Sequence, residues 1–296
     1  MKKKLWLYQD LYISKIAAKF GLENTRQQTL MAVEQLERNQ GQATAYEIRN
    51  YQELVGSINY PSVITRPDIS FTSSRLSEYL QNPSPQHVNA VRRCILYLWS
   101  TRTLLLEFGT NPAAPPTFEA GTNARDLDFL GFSDASFADD VETRRSSQGM
   151  KTTLFGGTND WQVMKQPAVS TSTTEAELRA AATLFMWLLW YQRFFDNIRL
   201  ELDQDLTAYC DNLQTVRILT KESPKLVTKL KHIDISQHWL REKVQDGTIH
   251  IEWISTSNQA ADGLTKALTV QKHATFLKQL NMVDIGDMIQ ILENRS

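Results

Sequence analysis

Two glutamates with one residue between them stand at the start of an apolar, helix-patterned run in STSTTEAELRAAATLF, residues 170–185. A carboxylate in such a place can cap the helix, carry surface charge or hold a metal ion. Thr174 and Glu177 make a T-x-x-E capping pair, and Ser172 and Glu175 make an S-x-x-E pair two residues earlier. Helical spacing separates the two acids. Glu177 shares a face with Ala181, Leu184 and Leu188, the apolar stripe that must turn to a core. Glu175 shares its face with Arg179, four residues on, a pair suited to water. Glu177 is therefore expected to point inward and Glu175 outward. An inward carboxylate is costly unless something compensates it. A cap compensates in part and a divalent cation fully, and on this stretch alone the two readings stand level.

Three aspartates bear on the choice. Asp134 lies in FLGFSDAS, Asp211 closes AYCDN and Asp262 lies in NQAADGLTKAL. Each has an ordinary explanation: an Asx turn for Asp134, a helix N-cap for Asp211, and a helix-dipole charge or a partner for Lys266 at Asp262. As a set they read differently, because two lie at strand ends and Asp262, like Glu177, lies in a first helical turn. If the first and fourth strands are parallel neighbours, Asp134 and Asp211 meet. Two Mg²⁺ ions, with Mn²⁺ as a substitute, would balance four such carboxylates, whose hard oxygens suit these ions. The chemistry that follows is phosphodiester cleavage by two metals ~3.5–4 Å apart, one activating water and one stabilising the leaving 3′ oxygen.

The elements that would carry these acids can be read from the pattern. Strands are expected in LDFLGFSDAS, RRSSQGMKTTLFGG and DWQVMKQ, joined by short polar turns as an antiparallel meander. A long helix from Thr174 follows, then a strand at LTAYCDN and a helix near LQTVRILT. A further helix in VTKLKHIDISQHWLREKVQDG ends at Gly247, the alternating TIHIEWIS is a fifth strand, and NQAADGLTKAL opens a last helix. This order predicts an α/β architecture, a mixed five-stranded sheet with helices on both faces. Upstream the chain reads as helical, with Val88, Val91, Ile95 and Leu98 at helical spacing in SPQHVNAVRRCILYLWST. The Pro-, Gly- and Thr-rich segment 109–125 reads as a linker.

Composition narrows the setting. The 296 residues carry 32 basic and 33 acidic side chains, so any basic surface for nucleic acid must be local. Cys94 and Cys210 are far apart and suggest neither a disulfide framework nor a zinc site. The longest apolar run, Ala180 to Tyr191, is short of the ~20 residues a bilayer needs. MKKKLWLYQD does not read as a signal peptide. The expectation is an intracellular protein, cytoplasmic or nuclear, with no membrane partner.

The stretches GFSDASFADD, RRSSQGMKTTLFGG, DWQVMKQPAVSTSTTEAEL, YCDN, KHIDISQHWLREKVQDGTIHIEWIST and NQAADGLTKAL resemble, in order, the ribonuclease H region of copia-type LTR retrotransposon Pol polyproteins. The resemblance implies a D-E-D-D metal site at Asp134, Glu177, Asp211 and Asp262, a ribonuclease H-like fold, and cleavage of the RNA strand of RNA–DNA hybrids. The segment YQELVGSINYPSVITRPDISFTSSRLSEYLQNPSPQHVNAVRRCILYLWSTR resembles the connection between reverse transcriptase and ribonuclease H, and LYISKIAAKFGL resembles the end of the polymerase. It implies a division into a reverse transcriptase remnant (1–50), a helical connection segment (51–108), a linker (109–125), a ribonuclease H-like domain (126–270) and a helical tail (271–296). The missing polymerase portion would be a partner, and Leu5, Trp6, Tyr8 and Tyr12 would be contacts orphaned by its loss. One departure is that ISTSN, before the last expected helix, lacks the histidine many ribonucleases H carry there. His250 belongs to the neighbouring strand.

Candidates for nucleic-acid contact are Arg144, Arg145 and Ser146 in the hairpin, and Lys229, Lys231 and His232 at the start of a basic helix whose ordinary reading is a solvated face. His87 reads as structural, and Trp187 and Trp190 as packing residues. FADD, Phe137 to Asp140, imitates a polymerase motif but directly follows the ribonuclease-type strand, and no polymerase activity is expected. Two rivals remain: a catalytically silent transposon remnant or nucleic-acid-binding module, and a transposase or integrase of the same fold, against which the fourth acid and the helix-rich stretch from Asp211 to Asp262 weigh.

Overall fold

The computed structural model describes residues 4–23, 36–109, 129–202, 205–221 and 231–286, with the backbone only at 231–236. In chain order the elements are β1 (Lys4–Leu7), α1 (Asp10–Lys19), α2 (Ala45–Ile64), α3 (Ser70–Ser77), α4 (Pro85–Ser100), β2 (Leu104–Gly109), β3 (Leu130–Ser136), β4 (Ser147–Leu154), β5 (Gly157–Lys165), α5 (Thr173–Ile198), β6 (Leu206–Cys210), α6 (Leu213–Thr220), α7 (Lys231–Gln245), β7 (Ile249–Trp253), α8 (Val270–Gln279) and β8 (Met282–Asp284). They fall into two compact units, Leu5–Glu107 with Ala267–Ser296, and Phe108–Lys266 with Met1–Lys4.

In the first unit, α1, α2 and α4 bury Ile13, Ile16, Leu54, Ile58, Ile95 and Leu98 in one core. Capping sets where two helices begin. Thr44 and Glu47 form a reciprocal box at α2. At α4 the partner of Ser84 is His87, whose Nδ1 accepts from the Ser84 N–H at 2.9 Å. His87 also contacts the Glu37 carbonyl through Nε2 at 2.8 Å and stacks on Tyr79, so it is structural, as expected. Inside this unit Arg66 and Asp68 form a fully buried bidentate pair. The Tyr97 hydroxyl donates to Asp68 at 2.7 Å, and Arg66 also donates to the Thr101 carbonyl and hydroxyl. The β8 strand pairs antiparallel with β2, so the chain after Lys266 closes this unit. Leu5, Trp6 and Tyr8 are exposed, whereas Tyr12 is half-buried and bonded to the Ser57 carbonyl, not orphaned.

The second unit is built on a five-stranded sheet of order β5-β4-β3-β6-β7. The meander β3-β4-β5 is antiparallel, and β6 and β7 add parallel to β3. This is the mixed five-stranded sheet expected, but among the described residues its α-helices lie on one face and not on both. On one face α5, α6 and α7 bury Leu184, Phe185, Leu188, Leu219 and Leu240 against the strands. On the other, Leu130, Phe132 and Tyr209 are covered by Ile254, Ala260 and Ala261, in a segment with short 3-10 turns at Thr256–Asn258 and Asp262–Leu264.

Two glycines permit this close stacking. A Cβ on Gly131 would stand 2.8 Å from Leu184 on the α5 face, and one on Gly149 would stand 2.6 Å from Leu264 Cβ on the other. The 3-10 segment is also pinned by the Gln259 side-chain amide, which donates to the Ser133 carbonyl at 3.0 Å.

Some expectations are corrected. The last α-helix does not open at NQAADGLTKAL. That stretch makes one 3-10 turn and α8 begins at Val270, because the segment lies flat on the sheet and follows its pins to β3 and β4. Trp190 is 58% exposed and stacked on the exposed Phe194, so it lies outside the core, while Trp187 is half-buried against it. Apart from Gly109, the expected linker lies outside the described residues.

Two consequences are measurable. Gly149→Ala should lower unfolding free energy by about 1–3 kcal/mol, read from urea midpoints, because Leu264 and Thr265 must give way. Asp68→Asn should cost about 3–5 kcal/mol by the same measurement, since it leaves the Arg66 guanidinium buried without its counter-charge.

Candidate functional site

The register of β3 and β6 brings the first two acids together. Phe132 pairs with Tyr209, and Asp134 and Asp211 each lie two residues further along, at the carboxyl ends of parallel neighbours. Asp134 is buried within β3, opposite Gly149, so it is not an Asx-turn residue. The turn roles fall to the paired aspartates after it. Asp139 accepts from the Ser147 N–H and hydroxyl, and Asp140 from Glu142 N, Thr143 N and Lys165 Nζ. FADD is thus a hairpin clamp. At α6 the cap is Asn212, whose side chain accepts from Thr215 N at 3.0 Å, which frees the Asp211 carboxylate. That carboxylate accepts from the Thr256 hydroxyl at 2.8 Å.

At α5 the N-cap is Ser172, accepting from Glu175 N, and Glu175 in turn accepts from Thr171 N and Oγ1 and pairs with Arg179 at 2.9 Å. Glu175 therefore does the capping work. It is buried, contrary to the expectation of an outward charge, because cap and ion pair together satisfy both oxygens. Glu177 points inward as expected. It is buried over β3, where Ala135, Ala176 and Ala180 keep the helix start close to the strand, and its Oε1 accepts from Ala135 N at 3.3 Å. Its Oε2 receives the Cys210 thiol at 3.9 Å.

Asp262 arrives from the opposite face. Lys266 Nζ lies 2.5 Å from Asp262 Oδ1 and 3.6 Å from Asp134 Oδ2, and the Thr265 hydroxyl donates to Asp134 Oδ2. The four carboxylates thus form two halves. Glu177 and Asp211 converge with Cys210, their ligand atoms within 4.8 Å of one another, while Asp134 and Asp262 are bridged by Lys266.

The electrostatics record this crowding. Burial, then the charges of Asp134 and Asp211, push Glu177 up to about 9. Burial pushes Asp134 up to about 6, against the pull of Lys266 and the Thr265 hydroxyl and with the help of Asp262 and Asp211. Lys266 rises to about 12, the carboxylates outweighing its burial. Hard carboxylate oxygens, buried and mutually destabilising, suit a divalent cation.

Sequence reasoning did not single out Cys210, Thr256, Thr265 or a bridging Lys266. Alternation offered one signal: Ala208 and Cys210 share the face of β6 that meets α5, the face on which Glu177 lies. Among the nucleic-acid candidates, Arg144 and Arg145 are exposed on the hairpin. Ser146 is buried and its hydroxyl accepts from Ala138 N. Lys229 and the side chains of Lys231 and His232 lie outside the described residues. His250 is exposed on β7, 3.3 Å from Asp205 Oδ2. Among the described residues no helix is long and apolar enough to cross a membrane.

No protein-family model matches the chain. It is 34% identical over 277 residues to the retrovirus-related Pol polyprotein from transposon TNT 1-94 of Nicotiana tabacum, covering 91% of this chain and 20% of that one. It is 30% identical over 237 residues to the Pol polyprotein from transposon RE2 of Arabidopsis thaliana, covering 79% and 15%. Solved structures similar to it include LC11-RNase H1 in complex with an RNA/DNA hybrid (18% identity, 46% of this chain and 93% of that chain, TM-score 0.33). Another is the foamy viral protease-reverse transcriptase in complex with RNA/DNA hybrid (13% identity, 55% and 23%, TM-score 0.36). Both likenesses are too loose to bear on the site. Similarity over most of its length places this chain among the retrovirus-related Pol polyproteins of copia-type transposons, of which it spans a fifth or less.

Proposed function

We propose that the Phe108–Lys266 unit is a ribonuclease H that uses divalent metal to cut the RNA strand of RNA–DNA hybrids, leaving 5′ phosphate and 3′ hydroxyl ends. The observation that carries this is the convergence of Asp134, Glu177, Asp211 and Asp262 from β3, α5, the end of β6 and the 3-10 turn. Two Mg²⁺ ions, or Mn²⁺, would be held by these four side chains. When bound they would activate water and stabilise the leaving oxygen.

The chain's own groups prepare the site. The Thr256 hydroxyl orients Asp211, Thr265 orients Asp134, and Ala135 N–H fixes Glu177. Arg144 and Arg145 would meet phosphates of the hybrid, with Lys229, Lys231 and His232 as further contacts. Selection of RNA would rest on 2′-hydroxyl contacts across the minor groove. The Leu5–Glu107 and Ala267–Ser296 unit would be the connection to a reverse transcriptase portion, its partner in the longer Pol chain.

The central test is cleavage of a labelled hybrid with and without Mg²⁺. Asp211→Asn should lower the rate at least about a hundredfold, since even the partners of metal ligands cost up to that much. Hybrid affinity, read by fluorescence anisotropy, should stay near wild type. Cleavage at the normal rate in this variant would refute the assignment.

The crowded carboxylates also predict a pH dependence. Glu177 titrates at about 9 when folded and in the ordinary carboxylate range when unfolded. Between those limits the folded state holds a proton that the unfolded state has released, so stability falls as pH rises through the window. Asp134, at about 6, steepens the lower part. In EDTA the thermal midpoint should therefore drop by several degrees toward pH ~9. Glu177→Gln should flatten that slope and unfold later at the alkaline end. Parallel profiles for the two proteins would contradict the account.

A further inference from the structure

We propose that Lys266 is a resident counter-ion of the carboxylate site, and that it makes the Asp134/Asp262 half the weaker of two divalent-ion positions. The inference rests on the reading of the four carboxylates as a metal centre and adds an order of loading to it. Lys266 is the cation bridging that half: its Nζ is 2.5 Å from Asp262 Oδ1 and 3.6 Å from Asp134 Oδ2. The other half is met differently. Glu177 takes a backbone N–H and a thiol, and Asp211 takes a hydroxyl, all neutral donors.

Charge balance then sets a sequence. Four carboxylates and one ammonium leave three negative charges when all are ionised. A first divalent ion reduces this to one, and among the described residues it meets no cation in contact with the Glu177/Asp211 half. A second would leave the site one unit positive with Lys266 in place, so its entry must displace the ammonium. The geometry allows this. The Lys266 side chain is 42% exposed while that of Asp134 is 2% exposed, and a four-carbon stem can swing its charge into water while the aspartates stay fixed. Lys266 is in these terms a positioning residue. It holds Asp134 and Asp262 together before the second ion arrives, and it sets the ion concentration at which that happens.

The test is titration of the full chain with Mn²⁺ in the absence of nucleic acid, free ion being followed by electron paramagnetic resonance. Folding of each variant is checked by circular dichroism. Wild type should bind one ion tightly and one weakly. Lys266→Met should tighten the weak site about tenfold or more, because a like charge at contact distance is removed, and leave the tight site little changed. Lys266→Arg, which keeps the charge, should retain the weak site. Asp211→Asn should lose the tight one. An unchanged weak site in a folded Lys266→Met protein overturns the proposal, as does loss of binding there. If wild type binds no Mn²⁺ saturably, the metal-centre reading itself fails and this inference with it. If wild type and Asp211→Asn differ as stated but Lys266→Met matches wild type, only the role of Lys266 is lost.

Discussion

Like charges brought together away from water must be neutralised, and the sheet unit is organised around that constraint. Asp134 on β3 and Glu177 at the start of α5 are both buried, and the charge of Asp134 raises the affinity of Glu177 for a proton. Three forms of relief are open to such a group: a proton, an internal ammonium, or a cation from solution. Lys266 supplies the second at one half of the site. The glycines that let α5 and the 3-10 segment lie close to the strands serve the same end, because they let acids from both faces reach one place.

The first unit offers a contrast within the same chain. Arg66 and Asp68 are as deeply buried as any site acid, yet Asp68 is held below its ordinary range: burial is outweighed by the bidentate guanidinium, with the Tyr97 hydroxyl adding to it. That pair is matched in charge and closed in hydrogen bonding, so nothing further is called for. The carboxylate site is unmatched by design of its neighbours. Apart from the single ammonium of Lys266, its donors are backbone, hydroxyl and thiol groups, which orient carboxylates without cancelling them. Buried charge alone does not mark a functional site. Buried charge short of counter-charge is what sets the proposed site apart from that pair.

Several features were legible because they depend on local periodicity. The inward turn of Glu177 follows from its place on the stripe with Ala181, Leu184 and Leu188, and the meeting of Asp134 with Asp211 follows from the order of elements, which lets the first and fourth strands of the sheet unit be parallel neighbours. The competing caps were not legible in the same way. Ser172 and Thr174 both fit the cap pattern, and the choice of Ser172 depends on where the chain leaves β5 and meets the sheet, a matter of packing. Glu175 was read as a surface charge because i,i+4 pairs usually are. Its burial comes from its additional role beneath Thr171. The FADD pair could be set aside from its position in the chain, but its work as a hairpin clamp is visible only from the bonds to Ser147 and Lys165.

From the sequence alone the order of the five sheet strands and the long helix after the third could be read, and so could the face on which Glu177 lies. Each of these is set by spacing along the chain, through the helical and strand periods and the turns between them. Only the tertiary structure decided that Asp262 sits on a 3-10 turn, that Cys210 enters the site, that Asn212 and not Asp211 caps α6, and that Lys266 reaches Asp134 as well as Asp262. Most of these depend on contacts between distant segments, such as Thr265 and Asp134 at a separation of 131. They depend on which faces stack and how closely, and no local pattern encodes that distance.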